Sequence, residues 1–91
     1  MSHKGWSNED TATIVDIIDA DWHLQNLVDS FVNEILYGPP VAEQDAIFYL
    51  EDSLIDEFYY KESREQADKY HVNLDNVNWT EIAEFFYWDA V

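Results

Sequence analysis

Apolar residues recur along most of the chain at three- and four-residue intervals, the period of a helix with one face in a core. Ile14, Ile17 and Ile18, flanked by Val15, form the first stripe. Leu24, Leu27, Val28, Phe31 and Ile35 form the second. Ile47, Leu50, Leu54 and Phe58 form the third, and Trp79, Ile82, Ala83 and Phe86 the last. Turn residues are few: Gly5 near the start and one strong break at Gly38-Pro39-Pro40. So little punctuation predicts helices rather than many short strands.

Helix boundaries follow from capping chemistry. Ser7 followed by Asp10 reads as a variant capping box, with Glu9 and Asp10 in a first turn whose positive dipole end favours acid. Asp19-Ala20-Asp21 breaks that helix and Asp21 caps the second, which Gly38 and Pro39 stop. The third should begin near Val41 or Ala42. From Lys61 to Tyr70 the pattern turns polar. Glu57 with Lys61, Arg64 with Asp68 and Glu65 with Lys69 are opposite charges four residues apart. That segment is either an extension of the third helix or a separate short one. His71 to Asn78 reads as a loop. Asn78 followed by Glu81 is a second capping-box pattern, opening a last helix from Trp79 to about Ala90. The expected fold is all-α, a bundle of four or five helices, with residues 1–91 forming one acidic helical domain.

Two short motifs carry a resemblance. Lys4-Gly5-Trp6-Ser7-Asn8 followed by Asp10-Thr11, and Asn78-Trp79-Thr80-Glu81-Ile82-Ala83, resemble the opening and closing segments of small tailed-phage proteins. Those typically open Gly-Trp-Thr-Asn-x-Glu-Thr-Trp and close Asn-Trp-x-Glu-Ile-Ala. Ala12 stands where that family usually has Trp, and the middle of the chain departs from it. The resemblance implies a phage origin and hardly any chemistry. A phage origin favours an inhibitor of a host protein.

Charge changes the picture most. Twenty Asp and Glu face four Lys and Arg, a net charge of −16. Direct nucleic-acid binding needs phosphates neutralised by Lys and Arg, and an anionic membrane surface repels acid, so both are excluded as partners. Disorder is also excluded, because 47% of the residues are hydrophobic and 16% aromatic, enough to bury a core. Cysteine is absent, no apolar run approaches a membrane span, and the start lacks a hydrophobic signal region. The cytoplasm is the expected location, that of the host cell for a phage protein.

Catalysis finds little support. His3, His23 and His71 are scattered over different predicted elements, and Ser7, Ser30, Ser53 and Ser63 lie in no nucleophile-elbow pattern. Two glycines in all leave no phosphate-cradling loop. Asp19-x-Asp21-x-His23 has the alternation that opens a calcium loop, but Leu24 and Ser30 stand where Gly and Glu are required. It reads as a helix junction. No enzyme activity, metal or cofactor is expected.

The acid is distributed unevenly. From Gly5 to Tyr60 there is no Lys or Arg, while 13 Asp or Glu fall between Glu9 and Glu57. On a wheel of the third helix, Asp45, Asp52 and Asp56 fall together about 140–180° from Ile47, with Tyr49 and Tyr59 flanking them. Their axial spacings of about 10 Å and 6 Å bracket the phosphate spacing on a nucleic-acid strand. Asp16, Asp19 and Asp29 also point away from their apolar stripes. One reading is a phosphate-like array that occupies the basic cleft of a nucleic-acid-binding host protein, such as a CRISPR effector, a restriction complex, a repair enzyme or RNA polymerase. The plainer one is a solvated face serving solubility, though a net charge of about 2–8 suffices for that. The aromatics of the last helix offer a surface of a different kind. Phe85, Phe86, Tyr87 and Trp88 cannot all face one core, so Phe85 and Trp88 mark either a partner or homodimer contact, or a helix buried on several sides. Trp22, opposite the second stripe, has the same two readings.

Overall fold

The computed structural model describes residues 5–90; His3, and Lys4 at the head of the first motif, lie outside them. Five α-helices follow in chain order: α1 (Glu9–Ala20), α2 (Trp22–Tyr37), α3 (Glu43–Tyr60), α4 (Ser63–Lys69) and α5 (Trp79–Ala90), with a single 3-10 turn at Leu74–Asn76 before α5. The fold is the all-α bundle that the periodicity predicts. Residues 61–70 hold a separate short helix, and the expected loop at 71–78 contains the 3-10 turn.

The caps explain the boundaries. Asn8, not Ser7, caps α1: its side-chain oxygen accepts from the Thr11 amide at 2.8 Å. Ser7 is diverted because its amide and hydroxyl both donate to Glu81 on α5, at 3.1 and 2.9 Å. Asp21 serves two helices. Its amide donates to Ile18, closing α1, and its carboxylate accepts from the His23 amide at 2.9 Å, opening α2. The Asp19–His23 alternation is therefore a helix junction. Gly38 ends α2 with φ −87, so it is not there for a left-handed turn. A Cβ at this position would lie 2.5 Å from the Glu34 carbonyl oxygen, and close approach is what requires glycine.

At the end of α4 the chain does turn left-handed, at His71 with φ 57. The Val72 amide donates to the Ala67 carbonyl at 3.0 Å and the His71 amide to the Asp68 carbonyl at 3.1 Å. That pair of bonds is a Schellman ending with histidine where glycine is usual.

α3 is the central helix, packed against α5, α4 and α2. Leu50, Leu54 and Phe58 are fully buried beside Ile14 and Ile18 of α1 and Ile82 of α5. The Phe58 and Trp79 rings meet at 5.6 Å between centroids. Each large side chain so buried contributes roughly 1.5–3 kcal/mol. All four predicted stripes face this core, with Leu27, Phe31, Ile35 and Phe86 at its edge. Periodicity overlooked Val32, Ala67 and Val77, which are also buried.

One buried acid departs from expectation. Glu57 accepts the Ser63 hydroxyl at 2.7 Å instead of pairing with Lys61. α3 ends at Tyr60, so Lys61 leaves the helical register and turns outward. The body measures 38 × 27 × 21 Å, with a radius of gyration of 12.7 Å.

Candidate partner-binding site

Three surface regions stand out, and they differ in what the side chains are already doing. The first joins the two sequence motifs. Asn8 donates from Nδ2 to the Asn76 carbonyl at 2.8 Å. Asp10 accepts from the Asn73 amide at 3.3 Å and from Asn76 Nδ2 at 2.9 Å. Thr11, fully buried, accepts the Asn78 amide at 2.8 Å. Asn78 in turn caps α5, its side-chain oxygen 3.1 Å from the Glu81 amide. The second capping box is thus half formed, because the Glu81 carboxylate reaches across to Ser7 rather than back to Asn78. Residues 7–11 and 73–81 form one polar clasp, and their motif positions are occupied by holding the chain together.

The second region is the outward face of α3. Asp45, Asp52 and Asp56 are all exposed, on the side of the helix away from Leu50 and Leu54. They are not equivalent. Asp56 is 3.3 Å from the Lys61 ammonium, so its charge is locally neutralised. Among the described residues no ion pair or hydrogen bond engages the side chain of Asp45 or Asp52. Asp16 and Asp19 of α1 and Asp29 of α2 are exposed as well. Arg64 lies 3.9 Å from Asp68, and the Lys69 ammonium stands over the Tyr70 ring at 5.7 Å. Among the described residues, Lys and Arg are therefore confined to the end of α3 and to α4.

The flanking tyrosines part company. Tyr49 is exposed and donates its hydroxyl to Glu34 of α2 at 2.7 Å. Tyr59 is half-buried, its ring 6.3 Å from that of Trp79 and its hydroxyl donating to Asp75 at 2.6 Å. The acceptor carboxylates stabilise the neutral phenols. The hydrogen bond to Asp75 holds the Tyr59 hydroxyl above its ordinary pKa of 10.0. The bond to Glu34 does the same for Tyr49. Tyr59 thus belongs to the edge of the core, and Tyr49 ties α3 to α2.

The third region is the outward side of α5. Phe85 and Trp88 are 46% and 49% exposed, so α5 is not buried on several sides. Trp6 lies edge-on to Phe85 at 5.1 Å. With Glu81, Glu84 and Asp89 these rings line an open groove of about 630 Å³. Phe86 packs against the core, as the wheel predicted, and Tyr87 packs there too. Sequence reasoning missed the acidic rim, although residues 81, 84, 85, 88 and 89 are spaced as a second helical stripe. Trp22 is 73% exposed and meets the His23 ring edge-on at 6.4 Å.

Among the described residues no helix is long and apolar enough to cross a membrane, and no group of three or more His, Asp or Glu side chains could hold a metal ion. No family model, curated protein or solved structure matches the chain.

Proposed function

We propose that the protein is a non-enzymatic, stoichiometric inhibitor of phage type, whose acidic surface occupies the Lys/Arg-lined nucleic-acid cleft of a host protein. The observation that carries this reading is the pairing of Asp45 and Asp52, exposed and unneutralised on α3, with the overall charge density. Sixteen net charges along a 38 Å axis amount to about one per 2.4 Å, against one per about 1.7 Å of duplex DNA. Net charge of that size destabilises a compact chain by self-repulsion and exceeds what solubility needs. Asp45 and Asp52 carry the largest share. Asp16, Asp19 and Asp29 extend the field, and Asp56 contributes less because Lys61 sits against it. Counter-defence against CRISPR or restriction machinery is the setting that a phage origin suggests. The cytoplasm of the host cell is where such a target would be met.

A second reading has its own observation, the exposed aromatic groove of α5. There the protein is an adaptor or oligomerisation module, homodimerisation included, and the acid only solvates it.

The test is affinity capture from a bacterial lysate with the full chain, followed by competition. A captured protein with a basic nucleic-acid site is expected to be displaced by duplex DNA or RNA and to lose affinity steeply with salt. Charge reversal at Asp45 and Asp52 should abolish capture. If that variant binds unchanged while Trp88→Ala abolishes binding, the inhibitor reading falls and the adaptor reading takes its place.

A further inference from the structure

The second stripe of α5 places two kinds of group on one wall. Phe85 and Trp88 present half-exposed rings, and Glu84 and Asp89 stand beside them as exposed carboxylates. Trp6, edge-on to Phe85 at 5.1 Å, completes the lining. It is positioned by its two neighbours in sequence: Gly5, with φ 87, and Ser7, which donates two hydrogen bonds to the Glu81 carboxylate. The lining is therefore set before anything binds.

We propose that this groove docks an arginine side chain carried on an exposed segment of a partner protein. The inference rests on the second reading, that the α5 aromatics meet a protein, and names the chemistry they meet. Its failure leaves the α3 face untouched. Cations are drawn to the faces of aromatic rings, Trp most strongly, and carboxylates at the rim attract the same group. Among the described residues no Lys or Arg lines the groove, and three carboxylates do. An apolar segment would desolvate Glu84 and Asp89 without giving them partners, which is costly. A second copy of this chain, at −16, is repelled. Between the two cationic side chains the groove suits arginine. A planar guanidinium stacks on a ring while its edge donates two parallel bonds to a carboxylate, whereas an ammonium is a compact, strongly hydrated point charge.

The experiment uses the full chain labelled with nitrogen-15 and four blocked pentapeptides of glycine with arginine, lysine, citrulline or leucine at the centre. Citrulline keeps the shape of arginine and lacks its charge. Proton–nitrogen correlation spectra are followed through each titration. With the arginine peptide, the Trp6 and Trp88 indole signals and the backbone amides of residues 84–89 are expected to shift saturably. The lysine peptide should bind more weakly and the citrulline peptide should give no saturable shift. Trp88→Ala and Glu84→Gln should each weaken the arginine peptide about fivefold or more. Glu84 is exposed, so its variant is expected to fold even if Trp88→Ala does not.

Equal, salt-abolished shifts from arginine and lysine peptides spread over the whole acidic surface would overturn the inference in favour of general attraction. Tighter binding of the leucine peptide to the same residues would also overturn it while leaving the second reading standing. No response to any peptide overturns the inference, and the second reading then stands or falls by the Trp88→Ala capture test. A dimer seen by sedimentation and lost in Trp88→Ala would assign the groove to a second copy instead.

Discussion

Asp10 and Glu81 in the clasp, and Asp45 and Asp52 on α3, are carboxylates of the same chemistry in different service. Both Asp10 oxygens accept hydrogen bonds, from Asn73 and Asn76, and one Glu81 oxygen takes two from Ser7. Among the described residues Asp45 and Asp52 accept none. The first pair acts over more than 60 residues of chain to fix the entry of α1 against that of α5. The second pair fixes nothing inside the protein. The difference teaches that the 20 acids include two distinct populations. One, including Asp10, Asp21, Glu57 and Asp75, is committed to helix ends and to neutral donors. The other is directed at solvent and gives the surface its unbalanced field.

That division is open to direct attack. The largest expected effect is from Thr11→Val, which keeps the buried shape and removes the acceptor of the Asn78 amide. It should destabilise by about 1–3 kcal/mol in urea unfolding. Asn8→Ala removes the α1 cap and the bond to the Asn76 carbonyl together, and should cost about 1 kcal/mol by the same measurement. Asn variants at Asp45 and Asp52 should lie within about 0.5 kcal/mol of the parent chain, because no internal partner is lost. If they destabilised as much as Asn8→Ala, the two populations would be one.

Alkaline pH gives a subtler comparison. Tyr59 has a folded pKa above the ordinary value of 10.0, owing first to its bond with Asp75 and then to burial. Its stabilising contribution is complete below pH 10 and is lost as pH rises through the folded pKa, because the unfolded chain ionises first. Tyr59→Phe should therefore flatten the loss of stability above pH 10 in urea titrations at successive pH values. A parent and variant with parallel curves would show that the Asp75 bond carries no pH-dependent stability.

Helix number and core faces were legible because both follow from short-range periodicity, which is why Ile14, Leu50, Phe58 and Ile82 all lie where the stripes place them. Asp21 was legible as a cap because its partner is two residues away. Ser7 was misassigned for the opposite reason. Its partner lies 74 residues on, and no local pattern announces it. Glu57 was misassigned because the i, i+4 rule assumes a helix that continues, and α3 stops before Lys61. Exposure of the α3 aspartates could be read from the wheel. The neutralisation of Asp56 could not, since it depends on how the chain turns after Tyr60.

The clasp also sets a schedule for synthesis. Asn8, Asp10 and Thr11 leave the ribosome long before Asn73, Asn76 and Asn78 exist to bind them. At roughly 5–20 residues per second, several seconds pass between the two events. Until then the Thr11 hydroxyl, buried only in the finished fold, has no Asn78 amide to receive and stays hydrated, and α1 lacks the support of α5. The acid-rich first two-thirds of the chain must wait in a loosely held form, and its own repulsion protects it from self-association in the interval.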